Sequence, residues 1–358
     1  MNKGNGIFGG IIILLIGIGL LWWNEGNNVK NIQTVNEGLK NYVDIKSDKI
    51  DSKYDGKLVA TNGKLIVNGE VSDAEFNVSS NSAALYRKVE MYQWTEDCDA
   101  DNNCTYNKEW KEELIDSSNF KEGGHSNLTV KLYESEKFTN NEVMLGAFIL
   151  PDRLLNQLST KHKINELSEE VATNHNLTIT NNYYTNVIDN KPEVGNIRIS
   201  FYDNNAKVVS VLAEQSDDTF KVYKTKKGKD LFRIYEDNYD GNDILQIISK
   251  QNNFMKWLWR LVGFILTTLG ISSMFNPLTM LMNKIPILGG IVNTATGLVS
   301  FVLGAAISLI VIAIAWFRFR PILSIILIII VVALILLLKW YSKDNAKQDK
   351  KEEPALEK

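Results

Sequence analysis

Few residues of this chain have the types and spacing that chemistry requires. Its three histidines, His125, His162 and His175, are scattered and match no metal-ligand spacing. The two cysteines fall in one short polar loop, Asp97-Cys98-Asp99-Ala100-Asp101-Asn102-Asn103-Cys104. They are either a bridge, which needs an oxidising compartment, or two free thiols in a cytosolic loop. The Cys98–Cys104 bridge is favoured, because that loop offers the cysteines nothing else to pack against. Closing so short a loop removes roughly 2 kcal/mol of unfolded-chain entropy. Asp97, Asp99, Asp101 and Asn103 alternate like the start of an EF-hand loop. Asn102 stands where that loop needs glycine, however, and Lys108 where it needs its closing glutamate. A solvated acidic loop is expected instead, with no metal and no cofactor. No phosphate-cradling glycine loop or Gly-x-Ser-x-Gly elbow occurs. The expectation is a protein that is not an enzyme.

One charged group stands out. Glu90 is flanked by apolar residues, and Arg87 or Arg198 is its expected partner in a structural ion pair. The alternative is a lipid-handling cleft beside the headgroups, where Glu90, Arg87 or His125 would converge.

The elements that must position these groups divide the chain sharply. An apolar helix runs from Ile7 to Trp23, and three more lie at Trp257–Phe275, Pro286–Phe317 and Pro321–Leu338. A bilayer core of ~30 Å takes ~20 apolar residues as a helix. The expected fold is an α+β membrane protein with four transmembrane helices, one N-terminal and three C-terminal, and a large β-rich extramembrane domain. The boundaries read as an anchor at 1–24, the β-rich domain at 25–242 and an interfacial amphipathic helix at 243–256. The three-helix region follows at 257–340, and a charged, disordered tail at 341–358. Leu20-Leu21-Trp22-Trp23 is a poor signal-peptidase site, so the first helix reads as an uncleaved anchor. Trp22, Trp23, Trp257, Trp259 and Trp316 suit the interfacial aromatic belt, with Arg318 and Arg320 snorkelling to headgroups.

Within the domain, the Asn62-Gly63 dipeptide predicts a hairpin turn, and Leu85–Trp94 alternates as a strand. Trp110–Ile115 reads as its pairing strand. Pro151–Leu167 reads as the best soluble helix, with Leu154, Leu155 and Leu158 on one face. In Asn196–Tyr202, Ile197, Ile199 and Phe201 point one way. Asp243 reads as the cap of the interfacial helix.

Apart from Arg260 near one end, the spans carry no ionisable group, which argues against a channel or transporter. They do carry small residues in register: Gly6, Gly10 and Gly17 in the first, Gly290, Gly297 and Gly304 near the end. Such stripes let helices approach closely, within one chain or between copies. The formal net charge of −3 gives no basic footprint for nucleic acid. Membrane lipids, further copies of the chain and other membrane proteins are the expected partners. Lysines of the tail and the cysteine pair favour a domain outside the cytoplasm, although Lys250, Lys256, Arg260, Arg318 and Arg320 argue the other way. The abundance of Asn and Lys favours a bacterial source.

Several stretches together resemble one family, the transmembrane protein 43 (LUMA) family. They are Trp23-Asn24-Glu25-Gly26, Glu37-Gly38-Leu39, Arg87-Lys88-Val89-Glu90-Met91-Tyr92-Gln93-Trp94 and Tyr106-Asn107-Lys108-Glu109-Trp110, then Ser118-Asn119-Phe120. Pro192-Glu193-Val194-Gly195-Asn196-Ile197-Arg198-Ile199-Ser200-Phe201, Ile285-Pro286 and Ala315-Trp316-Phe317-Arg318-Phe319-Arg320-Pro321 follow in the family's order. The resemblance implies a multi-pass protein with a lumenal or extracytoplasmic domain. Animal members reside in the endoplasmic reticulum and inner nuclear membrane, self-associate, and bind emerin and lamins. It supplies no catalytic residues. A bacterial member would sit in the cytoplasmic membrane and have no lamin partners. The Gly289-Gly290 pair replaces charges that animal members tend to carry, which puts their nuclear-envelope contacts in doubt here. The function expected is a self-associating membrane scaffold, with lipid handling as the alternative.

Overall fold

A computed structural model describes residues 5–99, 103–226, 228–282, 288–322, 325 and 329. Its α-helices are α1 (Asn5–Asn41), α2 (Asp152–Leu155), α3 (Glu169–Asn174), α4 (Gly241–Met282) and α5 (Leu288–Phe319). The chain forms two compact units. One comprises Met1–Asn36, Lys226–Lys229 and Gln246–Lys358, the other Glu37–Thr225 and Asp230–Leu245.

Three helices among the described residues are long and apolar enough to cross a membrane: Ile7–Asn41, Gly241–Pro277 and Thr294–Phe319. Four were expected from the sequence. The fourth, Pro321–Leu338, falls mostly outside the described residues, as does the tail. Two boundaries differ from expectation. Helix α1 does not stop at Trp23 but continues to Asn41, because no proline interrupts it and extending a formed helix adds one hydrogen bond per residue. The segment 243–256 is no separate interfacial helix but the opening of α4. Its cap is Asp240, whose carboxylate accepts the Asp243 N–H at 2.8 Å; Asp243 itself lies within the first turn.

Small residues let these helices meet. A Cβ on Gly10 would stand 2.7 Å from the Gly270 carbonyl oxygen, and one on Gly17 2.9 Å from the Thr267 nitrogen. Gly304 lies against Thr268 of α4 in the same way. Thr267 and Ser308 share a buried hydroxyl hydrogen bond of 2.9 Å, and Phe264 meets Phe301 edge to face.

The second unit is β-rich. One sheet runs Thr219–Lys221, Val208–Ser216, Leu58–Val67, Val143–Leu145, Phe148–Ile149. Val43–Asp44 pairs with it in parallel at Leu58–Val67, and Arg233–Tyr235 pairs with Val208–Ser216. A second sheet runs Thr178–Thr180, Tyr183–Thr185, Ile197–Asp203, Ala84–Cys98, Cys104–Lys111, and Val71–Asp73 with Val78–Ser80 makes a separate two-stranded sheet. His162–Ile164 and Glu136–Thr139 flank the second sheet. Each of the two larger sheets has its own apolar core. Val59, Leu145, Phe148, Leu154, Val211 and Phe220 fill the first, and Phe76, Leu85, Met91, Tyr184, Ile199 and Phe201 the second.

Three local expectations give way to tertiary packing. Asn62-Gly63 makes no turn but lies inside the Leu58–Val67 strand. There the Asn62 amide donates to the Tyr239 carbonyl at 2.9 Å, and a Cβ on Gly63 would meet Ser47 Oγ at 2.5 Å. The helix expected over Pro151–Leu167 is one turn, α2. Leu154, Leu155 and Leu158 are buried as expected, but His162–Ile164 leaves to pair with Ile197–Asp203. The strand beside Ala84–Cys98 is Cys104–Lys111 rather than Trp110–Ile115.

Candidate functional site

Past Trp23, α1 buries a stripe at helical spacing: Asn24, Asn28, Asn31 and Val35. Glu25 beside it is 1 % exposed. Both of its carboxylate oxygens are held. Arg260 of α4 donates from Nε to Oε1 at 2.7 Å, and Trp316 of α5 donates from Nε1 to Oε2 at 2.9 Å. Asn24 adds a bond from its amide to the Lys256 carbonyl at 3.0 Å. The Arg260 guanidinium also lies 4.8 Å from the Trp257 ring centroid and 5.9 Å from that of Trp316. One carboxylate thus joins all three helices at the end of their apolar segments. A buried carboxylate is tolerable only with a counter-charge and with its lone pairs engaged, and Glu25 has both.

The expected aromatic anchors surround this lock. Trp23 meets Trp259 edge to face at 6.0 Å, and Trp22 tilts on Phe319 at 5.6 Å. Trp257 faces outward, whereas Trp316 is drawn inward by Glu25. Arg318 is exposed, and Arg320 lies 5.9 Å from the Trp316 ring.

Beside the lock is a cavity of about 280 Å³. Its polar lining comes from Asn28 and Asn31 of α1, Lys250, Asn253 and Lys256 of α4, and Arg320 just beyond α5. Asn28 Nδ2, Asn31 Oδ1 and Arg320 Nη2 are buried there without a hydrogen-bond partner. All these residues belong to the helical unit.

In the β-rich unit the three charged candidates do not converge. Arg198 and Glu90 are directly opposite in the antiparallel register, and Arg198 Nε bonds Glu90 Oε2 at 2.8 Å. Lys88 reaches the other oxygen at 3.0 Å. Burial pushes the Glu90 carboxyl up, but hydrogen bonds and charge from Arg198 and Lys88 outweigh it and leave it below the usual carboxylate range. Arg87 takes no part in this pair, because residues three apart on a strand face opposite ways. It is buried against Asp73 at 2.8 Å, Glu75 at 2.6 Å and Glu136 at 3.2 Å. His125 stacks on Tyr106 with centroids 3.9 Å apart. Burial, and then the hydrogen bond to Glu112, pushes the Tyr86 phenol up to about 12.

Cys98 and Cys104 are cross-strand partners and form a disulfide. The nearby Glu96 completes a metal-like triangle only formally, since both sulfurs are bonded to each other. His162 bonds Asp203 at 2.8 Å, and His175 bonds Tyr133 at 2.9 Å.

Of the expected glycine stripes, Gly10, Gly17 and Gly304 lie in the helix contacts already described. Gly297 does not: no described residue lies within 4 Å of its would-be Cβ. The surroundings of Gly6 and Gly290 fall outside the described residues. The lock and the Asn stripe escaped sequence reasoning. Glu25 and Arg260 are too far apart in the chain to suggest a pair, although an isolated arginine at a span end was a signal for a hidden counter-charge.

The apolar helices, three among the described residues, and a large β-rich domain define an integral membrane protein of mixed α+β build. The family model for transmembrane protein 43 matches residues 91–321. The chain belongs to the transmembrane protein 43 family. Transmembrane protein 43 of Rattus norvegicus and that of Homo sapiens are each 26% identical to it over 347 residues, covering 90% of this chain and 86% of theirs. The transmembrane protein 43 homolog of Drosophila melanogaster is 23% identical over 337 residues, covering 88% of this chain and 89% of its own. No solved structure matches the chain.

Proposed function

We propose that this protein is a non-enzymatic membrane scaffold whose helical unit associates with further copies of itself. The observation that carries this reading is Gly297. Gly10, Gly17 and Gly304 are each covered by a neighbouring helix, whereas no described residue covers Gly297 on α5, beside exposed Thr294 and Leu298. A small, open helix flank in lipid suits the close approach of another helix. The polar groups at the helix contacts fit the same reading. Glu25, Arg260, Trp316, Thr267 and Ser308 fasten helices to one another. The β-rich unit offers a surface for other proteins. Leu128, Val130 and Leu132 lie on one irregular loop segment and are 53%, 71% and 69% exposed.

The test is the oligomeric state of the full chain in lipid nanodiscs, by native mass spectrometry. The scaffold reading expects a multimer in the wild type and a shift to monomer in Gly297→Leu. A monomeric wild type would sink it.

A lipid-binding role is the second reading. It is favoured by the cavity at Asn28, Asn31 and Arg320, where buried polar atoms stand without partners.

A further inference from the structure

We propose that the cavity beside the Glu25 lock binds the phosphate of an anionic phospholipid headgroup. This stands apart from self-association and deepens the lipid-binding reading on which it rests. The first observation is charge. Among the described residues three cations line the cavity, Lys250, Lys256 and Arg320, and no carboxylate does. The nearest acid at the helix junction, Glu25, already has both oxygens engaged by Arg260 and Trp316.

The second observation is unmet hydrogen bonding. Asn28 and Asn31 are 5% and 6% exposed, yet Asn28 Nδ2 and Asn31 Oδ1 have no partner, and neither has Arg320 Nη2. Leaving a buried polar atom unpaired costs about 1–3 kcal/mol, so a group that completes several such bonds at once is favoured. The Asn31 amide can turn over and present its NH2 instead. Phosphate oxygens accept hydrogen bonds and carry the negative charge that the described lining of lysines and arginine does not supply. Asn253 already engages Lys256 Nζ, which steadies that ammonium at the cavity wall.

The third observation is depth. The cavity lies where all three apolar segments end: beyond Trp23 on α1, before Trp257 on α4 and just after Phe319 on α5. At 1.5 Å per helical residue, Asn28 and Asn31 stand about 7 and 12 Å past Trp23. The headgroup layer of each leaflet is about 5–7 Å thick. A phosphate anchored to acyl chains therefore reaches the Asn28 end of the cavity from the outer edge of the headgroup layer, and Asn31 stands one turn further out. The volume is close to the lower end of the range for drug-sized ligands, roughly 300–1,000 Å³, so it suits a headgroup rather than a whole lipid.

The test uses the delipidated full chain in detergent, titrated by native mass spectrometry with phosphatidylglycerol and with phosphatidylcholine of the same acyl chains. The expected result is one phosphatidylglycerol per chain, bound about 10-fold more tightly than phosphatidylcholine. Lys250→Gln removes an exposed cation that should not affect folding, and should weaken phosphatidylglycerol about 5-fold. Asn28→Leu, which fills the cavity and removes the unpaired amide, should weaken it too. Lys30→Gln, an exposed charge on α1 outside the cavity, should leave binding unchanged. Equal binding of the two lipids would overturn the proposal, as would Lys250→Gln and Lys30→Gln behaving alike. Displacement of the lipid by equimolar inorganic phosphate would overturn it as well, and would assign the cavity to a soluble anion.

Discussion

The carboxylate of Glu25 accepts the Nε–H of Arg260 at 2.7 Å across 235 residues of sequence, with the glutamate 1% exposed and the arginine side chain 12%. This pair, together with the Trp316 indole, decides how the three helices are held at the membrane boundary. Glu25→Ala leaves Arg260 buried without its counter-charge and orphans the indole N–H. The expected loss is about 3–5 kcal/mol of helical-unit stability, read as a lower midpoint in detergent-mixture unfolding. The double variant Glu25→Leu with Arg260→Leu should be milder than Glu25→Ala, because no lone charge stays buried. Additive damage in the double variant would contradict the pairing.

The glycines separate helix packing from exposed surface. Gly17→Leu drives a side chain into the Thr267 backbone and should lower both expression and the unfolding midpoint. Gly297→Leu meets open space and should leave the monomer's midpoint within about 0.5 kcal/mol of wild type, like other substitutions away from packed features. Equal destabilisation by both would place Gly297 inside a helix contact instead.

Acid should weaken the β-rich domain partly through Glu90. Its carboxyl is depressed in the folded chain by Arg198 and Lys88 against the upward push of burial. A depressed carboxyl contributes stability above its unfolded value of about 4.3, and that stability disappears as pH falls through the folded value. Thermal unfolding of the full chain from pH 7 to pH 3 should therefore show a fall in midpoint. Glu90→Gln should be less stable than wild type at pH 7, by roughly 1.5 kcal/mol or more. The gap between the two curves should narrow as pH falls through the folded value. Parallel curves would show that Glu90 is not the titrating group.

The Cys98–Cys104 bridge closes a loop of sequence separation 6, so its chain-entropy contribution is about 2 kcal/mol. Cys98→Ser with Cys104→Ser should lower the domain's midpoint by no more than that and leave it folded, because the flanking ladder from Met91–Lys111 to Asp97–Thr105 persists. Loss of the domain's near-ultraviolet signal in the double variant would contradict this.

How much of this was legible in the sequence follows from which residues carry each feature. Apolar runs such as Ile7–Trp23 announce helices wherever they occur, and the strand alternation of Ile197, Ile199 and Phe201 marks a buried face that the structure shows. The continuation of α1 was hidden because its buried face is written in Asn24, Asn28 and Asn31, which a hydrophobic period does not detect. The cavity was hidden for the same reason. Asn62-Gly63 misled because a turn-forming pair was recruited into a strand by Ser47 and Tyr239, residues distant from it in the chain or fixed by tertiary packing. Strand alternation alone puts Arg87 on the face opposite Glu90, whereas the register that sets Arg198 across from Glu90 is not visible in either segment alone.

The scaffold account rests on α5 approaching α5 of another copy at Gly297. The direct measurement is oxidative cross-linking in native membranes of a full chain carrying Gly297→Cys in a Cys98→Ser, Cys104→Ser background. The account predicts a covalent dimer at Gly297→Cys and none when cysteine is placed at Gly17, which faces α4 of its own chain. Monomer alone at Gly297→Cys under the same oxidant, at expression equal to wild type, would contradict it.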